Sequence, residues 1–316
     1  MSAASASAPE PASVPVPPCV FECEYRGVRH AGTGLPAPGA ELTLYPVAEG
    51  QLRAAVLAGG PRSLEQAVTA QGGPVTATAD DPDLRFLPPL LPTDTNNSLL
   101  TGFMGTHRSK FDRPPTADEP FRAPNWLIKG MGSWTRMPGE TLTVPASAVA
   151  LLEEPEVALV FANDADGVPH YAGYTFGNDL NDIGLHTQNP WGWTPYAKLC
   201  DSAMTPWLFL GAPPVTAAGR VVIERGGETA WEGPFTCGAD ALFQRVPDMI
   251  EHLLSYPALR RPGLVQYMLL GSDKASWHDG FRIADEDRVT IEFTSHGVVL
   301  SNPVSWAKAV APVQVG

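Results

Sequence analysis

Alternating apolar and polar positions recur along the chain in short runs. VFECEYRGV (20–28), AELTLYPV (40–47) and QLRAAVLAG (51–59) are broken by Gly and Pro, and this punctuated alternation predicts strands. SLEQAVTA (63–70) predicts a short helix, with Ser63 as its cap and Glu65 and Gln66 in the first turn. RFLPPLLPT (85–93) reads as a Pro-rich connector and sets a boundary. Beyond it, LTVPASAV, EVALVFAND, HYAGYTFGND, VQYMLLGS and DRVTIEFTSHGVVL again read as strands. The strongest helical signal is ADALFQRVPDMIEHLLSY (239–256). There Leu242, Val246, Met249, Ile250 and Leu253 recur at helical spacing, and Pro247 should kink the helix or mark its true start. The expectation is a strand-rich α+β protein. It comprises a disordered tail over 1–18, a small N-terminal β-rich domain over 19–93 and one larger unit over 94–316.

Composition sharpens this picture. With 30 Gly and 33 Pro, the chain of 316 residues favours short strands and turns over long helices. A formal net charge of −13 argues against nucleic acid or an anionic membrane as partner. An anionic substrate remains open, because a few buried cations or a metal reverse the sign locally. Cys19 and Cys23 have no second pair of matching spacing, so Cys19, Cys23, Cys200 and Cys237 are expected as reduced cysteines. The Ala/Ser/Pro-rich start has neither a basic stretch nor an apolar segment of signal-peptide length, and no apolar run reaches bilayer-spanning length. A soluble cytoplasmic protein is expected.

The candidate chemistry begins at Glu154-Pro155-Glu156, ahead of the apolar run VALVFA. In a strand, residues two apart face the same side, so two carboxylates converge. They repel unless a proton or a cation sits between them, and a hard divalent ion suits such a pair. Alone, this spacing more often marks a solvated strand edge. The second piece is residues 173–209, rich in Gly, Asn, Asp and Trp, with Asp179 after a strand-like segment and Lys198 nineteen positions later. Loops of this composition after strands typically build sites.

Taken in order, these pieces resemble the fumarylacetoacetate hydrolase (FAH) superfamily: Glu-x-Glu before a strand, a Gly-Tyr-Thr strand ending in Asn-Asp, then Ala-Lys before Asp. TGFMGTHRSK (101–110) is similar to the segment that brings a histidine to the site. NWLIKGMGSWTRMPGETLTVP (125–145) is similar to the family's Lys-bearing strand and Pro-Gly turn. RRPGLVQYMLLGSDKASWHDG and HGVVLSNPVSW resemble its C-terminal strands, so the match runs over roughly residues 95–307. The nearest flavour is the branch that handles 2-keto-3-deoxy sugar acids.

The resemblance implies a mixed β-roll core and a homodimer. It implies Mg²⁺, Mn²⁺ or Ca²⁺ held by Glu154, Glu156 and Asp179, acting as a Lewis acid on a keto acid or diketone through an enolate. Lys198 would neutralise substrate oxygens, and His107 would be the general base. Arg108, Lys129, His186 and Ser272 are the expected substrate contacts; His186 stands near where many members carry Gln or Glu. Trp126, Trp134, Trp191, Trp193 and Trp207 are candidates to line a larger apolar pocket. Two departures stand out. The family's Arg-Asp pair is replaced by Ile183-Gly184, and Lys110 occupies the place of the Glu that partners the histidine; Asp112 is a candidate replacement. Hydrolysis, decarboxylation, hydration and dehydration all remain open. So do a specialised biosynthetic enzyme and a non-catalytic metal-stabilised binding protein.

Overall fold

The computed structural model describes residues 16–37, 39–116, 118–273 and 275–309. The tail expected over 1–18 lies, up to residue 15, outside the described residues. The first elements are β1 (Cys19–Tyr25), β2 (Val28–Thr33), β3 (Glu41–Pro46), α1 (Gln51–Gly59), α2 (Ser63–Thr69), β4 (Val75–Thr78) and β5 (Leu84–Leu87). QLRAAVLAG is therefore helix α1 rather than a strand. Leu52 and Val56, one helical turn apart, are its buried residues, and a period of four outweighs the local alternation. Helix α2 forms where expected, but Ser63 does not cap it. Its hydroxyl lies instead 2.7 Å from the carbonyl oxygens of both Ala55 and Gly60, which share its single hydrogen, tying the two helices together. Part of the Pro-rich connector is strand β5, paired with β1.

Next come β6 (Ser98–Met104), β7 (Asn125–Gly130), β8 (Leu142–Val144), β9 (Leu151–Leu152), β10 (Pro155–Asn163), β11 (Pro169–Asn178) and β12 (Asn181–Asp182). They are followed by α3 (Ile183–Gln188), α4 (Thr194–Ala197), β13 (Ala203–Met204), β14 (Leu208–Phe209), β15 (Ala217–Arg225) and β16 (Glu228–Cys237). The chain closes with α5 (Val246–Leu254), β17 (Val265–Leu269), β18 (Arg288–Phe293) and β19 (Val298–Trp306). The helix expected over 239–256 is shorter. Pro247 stands in the first turn of α5, where its missing N–H costs nothing, and Leu242 leaves the helical face to form a bridge with His107.

Among the described residues, one large sheet runs β4-β3-β2-β1-β14-β11-β10-β17-β6-β7, with β13 and β5 pairing off this path. A five-stranded sheet runs β16-β15-β18-β19-β8. Both mix directions, since β17 runs parallel to β6 and β19 parallel to β8. The architecture is thus the expected strand-rich α+β one, and the N-terminal strands join the large sheet where β1 meets β14. Every residue of β10 is buried. Its unbroken apolar run is the signature of a central strand covered on both faces, here by Val157, Leu159 and Phe161 in one core and Ala158 and Val160 in another. No described helix is long and apolar enough to cross a membrane.

Candidate metal and active site

The pairing of β10 with β11 builds the site. The start of β10 lies beside the end of β11, with Pro155 opposite Asn178 and Glu156 opposite Gly177. Asp179, one residue past β11, therefore meets the Glu154-Pro155-Glu156 segment that opens β10, and its N–H donates to the Glu154 carbonyl at 3.0 Å. One carboxylate oxygen from each of Glu154, Glu156 and Asp179 lies within 4.8 Å of the others, and all three side chains are buried. On the far side of β10, the chain leaving β17 closes the cluster. Gly271 N–H donates to Glu156 Oε2 at 2.6 Å and Ser272 Oγ to Glu154 Oε1 at 2.8 Å. Gly102 on β6 lies against the cluster, where a Cβ would stand in ordinary contact, 3.5 Å from Asp179 Oδ2.

Two lysines enter from opposite sides. The register of β6 against β7 slips between Leu100 and Thr101, where Gly130 and Ile128 are the partners, so Lys129 is left over as a bulge residue. Bulges re-aim a side chain. Here Lys129 turns inward while Ile128 remains exposed. Its Nζ lies 2.8 Å from Asp179 Oδ1, as an ion pair rather than a directed hydrogen bond, and donates to the Leu180 carbonyl at 2.5 Å. Lys198, directly after α4, donates to Asp179 Oδ2 at 2.6 Å and to Glu154 Oε2. Burial alone pushes its ammonium toward neutrality, but Asp179, Glu154 and Glu156 outweigh this and hold it charged.

The charges do not balance. Three carboxylates face two ammonium groups, which leaves one negative charge uncompensated in a dry setting. Glu156 bears the consequence: burial, then Asp179 and Glu154, push its carboxyl well above the ordinary range. For Asp179 burial acts the same way, but Lys129 and Lys198 prevail and hold it below that range. Glu156 Oε1 is buried without a hydrogen-bond donor, and Asp179 Oδ1 has only the undirected ion pair with Lys129. A hard divalent cation would satisfy both oxygens and more than offset the one excess negative charge, so the donor set fits such an ion.

The other predicted residues fall in different places. Ser272 touches the cluster directly. His186 is half-buried on α3, and its Nδ1 lies 2.8 Å from Thr194 Oγ1. His107 is 1% exposed, and both ring nitrogens are buried without a hydrogen-bond partner, so neither Asp112 nor another described carboxylate replaces the family's glutamate. Burial, then Lys110, push its pKa down to about 4. Asp273, the Thr236 carbonyl and Glu154 oppose this, the carbonyl without hydrogen-bond geometry. Arg108 is exposed and donates to the Leu242 carbonyl at 2.9 Å. It lines a cleft of about 1110 Å³ between residues 104–125 and 239–248, to which the three carboxylates do not contribute. Trp207 is half-buried against the core, edge-on to Phe21 and Phe86. Trp191 is 96% exposed, Trp134 and Trp193 are also exposed, and Trp126 is half-buried. All four cysteines are free and buried.

Several contributors were not singled out from the sequence. Asn181 Nδ2 donates to Glu154 Oε2 at 2.8 Å, and Asn178 Oδ1 accepts from Glu154 N–H at 3.0 Å. Glu153 is fully buried, and Ser276 donates to both its oxygens. The dense Asn-Asp-Leu-Asn-Asp run held a signal for the asparagines; no spacing pointed to Ser276.

No family model matches the sequence, and no curated protein does. Solved structures do match the fold. A 2-keto-3-deoxy-D-arabinonate dehydratase complexed with magnesium and 2,5-dioxopentanoate superposes with a TM-score of 0.65 at 18% identity, over 92% of this chain and 100% of that one. The chain has the fumarylacetoacetate hydrolase fold. A 5-carboxymethyl-2-hydroxymuconate delta-isomerase from Mycobacterium smegmatis matches at 0.60 and 18%, over 92% and 100% of the two chains. A 2-hydroxyhepta-2,4-diene-1,7-dioate isomerase from Mycobacterium marinum matches at 0.60 and 19%, over 91% and 98%. The FAH resemblance read from the sequence is thus borne out at the level of fold, and the FAH-fold carboxylate cluster lies at one end of the central strands β11, β10, β17 and β6.

Proposed function

We propose that the chain is a divalent-metal-dependent enzyme acting on a small 2-oxo acid or β-dicarbonyl compound through an enolate. The carrying observation is the buried cluster of Glu154, Glu156 and Asp179, one positive charge short and with Glu156 Oε1 unpartnered. Mg²⁺ or Mn²⁺ on these three residues would supply a Lewis acid for adjacent substrate oxygens. The chain's own residues do the rest. Lys129 and Lys198 place fixed positive charge where negative charge develops on the substrate. Asn181 and Ser272 orient Glu154, and Gly271 orients Glu156. The magnesium and dioxopentanoate in the dehydratase of the same fold support this reading. The same reading carries a homodimer.

A second reading, a larger and more apolar substrate, is favoured by the cleft of about 1110 Å³, where Phe111 stacks on Phe243 with ring centroids 4.1 Å apart.

The test is a Mn²⁺ titration followed by electron paramagnetic resonance, beside assays of acylpyruvates, oxaloacetate and 2-keto-3-deoxy sugar acids. One Mn²⁺ per chain, lost in Asp179→Ala, is expected together with turnover of one class. Absence of stoichiometric metal would sink the proposal, and metal without turnover would favour a binding protein.

A further inference from the structure

We infer that His186 is the proton-transfer residue of this site, acting through its Nε2 lone pair. The inference rests on the enolate reading above.

Its geometry follows from one turn of helix. Lys198 N–H donates to the Thr194 carbonyl at 3.1 Å, so the side chains of Thr194 and Lys198, four residues apart, share one face. Lys198 points that face at Glu154 and Asp179. His186 hydrogen-bonds Thr194 on the same face, and the charges of Lys198 and Glu154 both act on its ring.

The hydrogen bonds also fix the ring. Thr194 Oγ1 lies 2.7 Å from the Pro190 carbonyl, which can only accept. A hydroxyl has one hydrogen, and here it goes to Pro190. Thr194 Oγ1 must then accept from His186, so Nδ1 carries the proton and Nε2 is bare. Among the described residues Nε2 has no hydrogen-bond partner, and the ring is half-buried rather than sealed. Burial, then Lys198, lower the pKa of the ring and so favour the neutral imidazole, and Glu154 offsets them in part. A neutral imidazole with an oriented, accessible lone pair is what a general base requires. His107, enclosed on all sides with neither nitrogen oriented, lacks each of these properties.

In the step itself, Nε2 takes a proton from the carbon next to the substrate carbonyl. The C–H electron pair becomes a carbon–carbon double bond, and the carbonyl π pair moves onto oxygen. His186 becomes imidazolium, with Thr194 still accepting from Nδ1–H, and returns the proton in the reverse direction.

The experiment follows exchange of the C3 hydrogens of 2-oxobutanoate in D₂O by proton NMR, with Mg²⁺-loaded protein. Wild type, His186→Ala and His186→Gln are compared. Exchange in wild type, slowed roughly 10²–10⁴-fold in both variants, is expected, with Mn²⁺ affinity changed less than a few-fold. Added imidazole should restore part of the exchange in His186→Ala. A purely structural histidine would not allow this rescue. Nitrogen-15 spectra of the metal-free protein should show His186 protonated at Nδ1, and Thr194→Val should lose that preference. Exchange at the wild-type rate in both variants would overturn the inference alone, as would Nε2 protonation. Wild type that binds Mn²⁺ yet exchanges nothing would overturn the enolate reading itself.

Discussion

Ser276 holds both oxygens of Glu153: its N–H donates to Oε1 at 2.8 Å and its hydroxyl to Oε2 at 2.6 Å. This pair is one of three such contacts. Glu156, Glu154 and Glu153 each receive a hydrogen bond from the segment 271–276, so the Glu-Glu-Pro-Glu run and the chain leaving β17 are stitched residue by residue. Ser276→Ala leaves a buried carboxyl oxygen without its donor, at a cost of about 1–3 kcal/mol. It also frees the segment that orients the metal-facing oxygens, and such outer contacts are worth roughly 10–100-fold in metal affinity. Calorimetry should show a lower Tm and a Mn²⁺ titration a weaker Kd, with Ser276→Thr close to wild type in both.

Gly271 tests the same segment from its backbone. Its φ is +94°, and a Cβ there would stand 2.1 Å from Thr106 Oγ1. That hydroxyl is held by its own hydrogen bond to the Leu270 carbonyl at 2.6 Å and is no flexible tip. Gly271→Ala should destabilise by about 1–3 kcal/mol from the backbone alone, and more with the clash. Urea unfolding of the double variant with Thr106→Ala should recover part of that loss, because two groups in contact are not additive.

Two opposed contributions to the pH dependence of stability come from His107 and Glu153. His107, held at about 4 against an ordinary 6.5, stays neutral in the fold while the unfolded chain takes up its proton. Stability from this source is present above 6.5 and is lost as pH falls toward 4, a difference of about 3 kcal/mol. Glu153, pushed up to about 7 by burial against its Ser276 hydrogen bonds, has the opposite sign. Its protonated form stabilises the fold below about 4.5, and that contribution is lost as pH rises through 7. The two partly offset each other in wild type. Urea midpoints at pH 4.5, 5.5 and 7 should therefore fall less with acid in His107→Gln than in wild type. An unchanged acid profile in that variant would contradict a buried neutral His107.

A homodimer should give a light-scattering mass of twice 33.7 kDa. Ile128 on the sheet-edge strand β7 and the neighbouring Trp134 are exposed apolar residues suited to such a contact. A mass of a single chain at working concentration would count against the dimer.

Much of the site was legible because strand physics is local. The two-residue period of Glu154 and Glu156 could be read directly, Asp179 joined them only through the family resemblance, and the apolar run of β10 announced a strand. What was not legible depends on distant partners. QLRAAVLAG carries both periods, and only packing of Leu52 and Val56 decides for helix α1. Lys129 faces inward only because the register against β6 slips by one residue, and no sequence pattern encodes that slip. Ser276 lies more than a hundred residues from Glu153, and the orientation of His186 depends on a hydroxyl whose hydrogen is claimed by Pro190.

Lys198 separates the functional readings most sharply. Its ammonium bonds Asp179 and Glu154 at once, so Lys198→Met removes one of two positive charges from a site that already holds three carboxylates. Without metal, the variant leaves a buried carboxylate cluster more strongly repelled, and breaking a buried pair in this way costs about 3–5 kcal/mol. A bound cation relieves that repulsion. Because it binds only the folded state, saturating Mn²⁺ should raise the Tm of Lys198→Met by more than it raises that of wild type. Turnover should still be lost after that recovery, since the substrate oxygens lose the charge that Lys198 would present to them. A variant that regains stability with Mn²⁺ and keeps its full rate would show that Lys198 serves only the carboxylates. For a binding protein the stability changes would be the same, with no turnover to lose, so the two measurements together distinguish a scaffold from an enzyme.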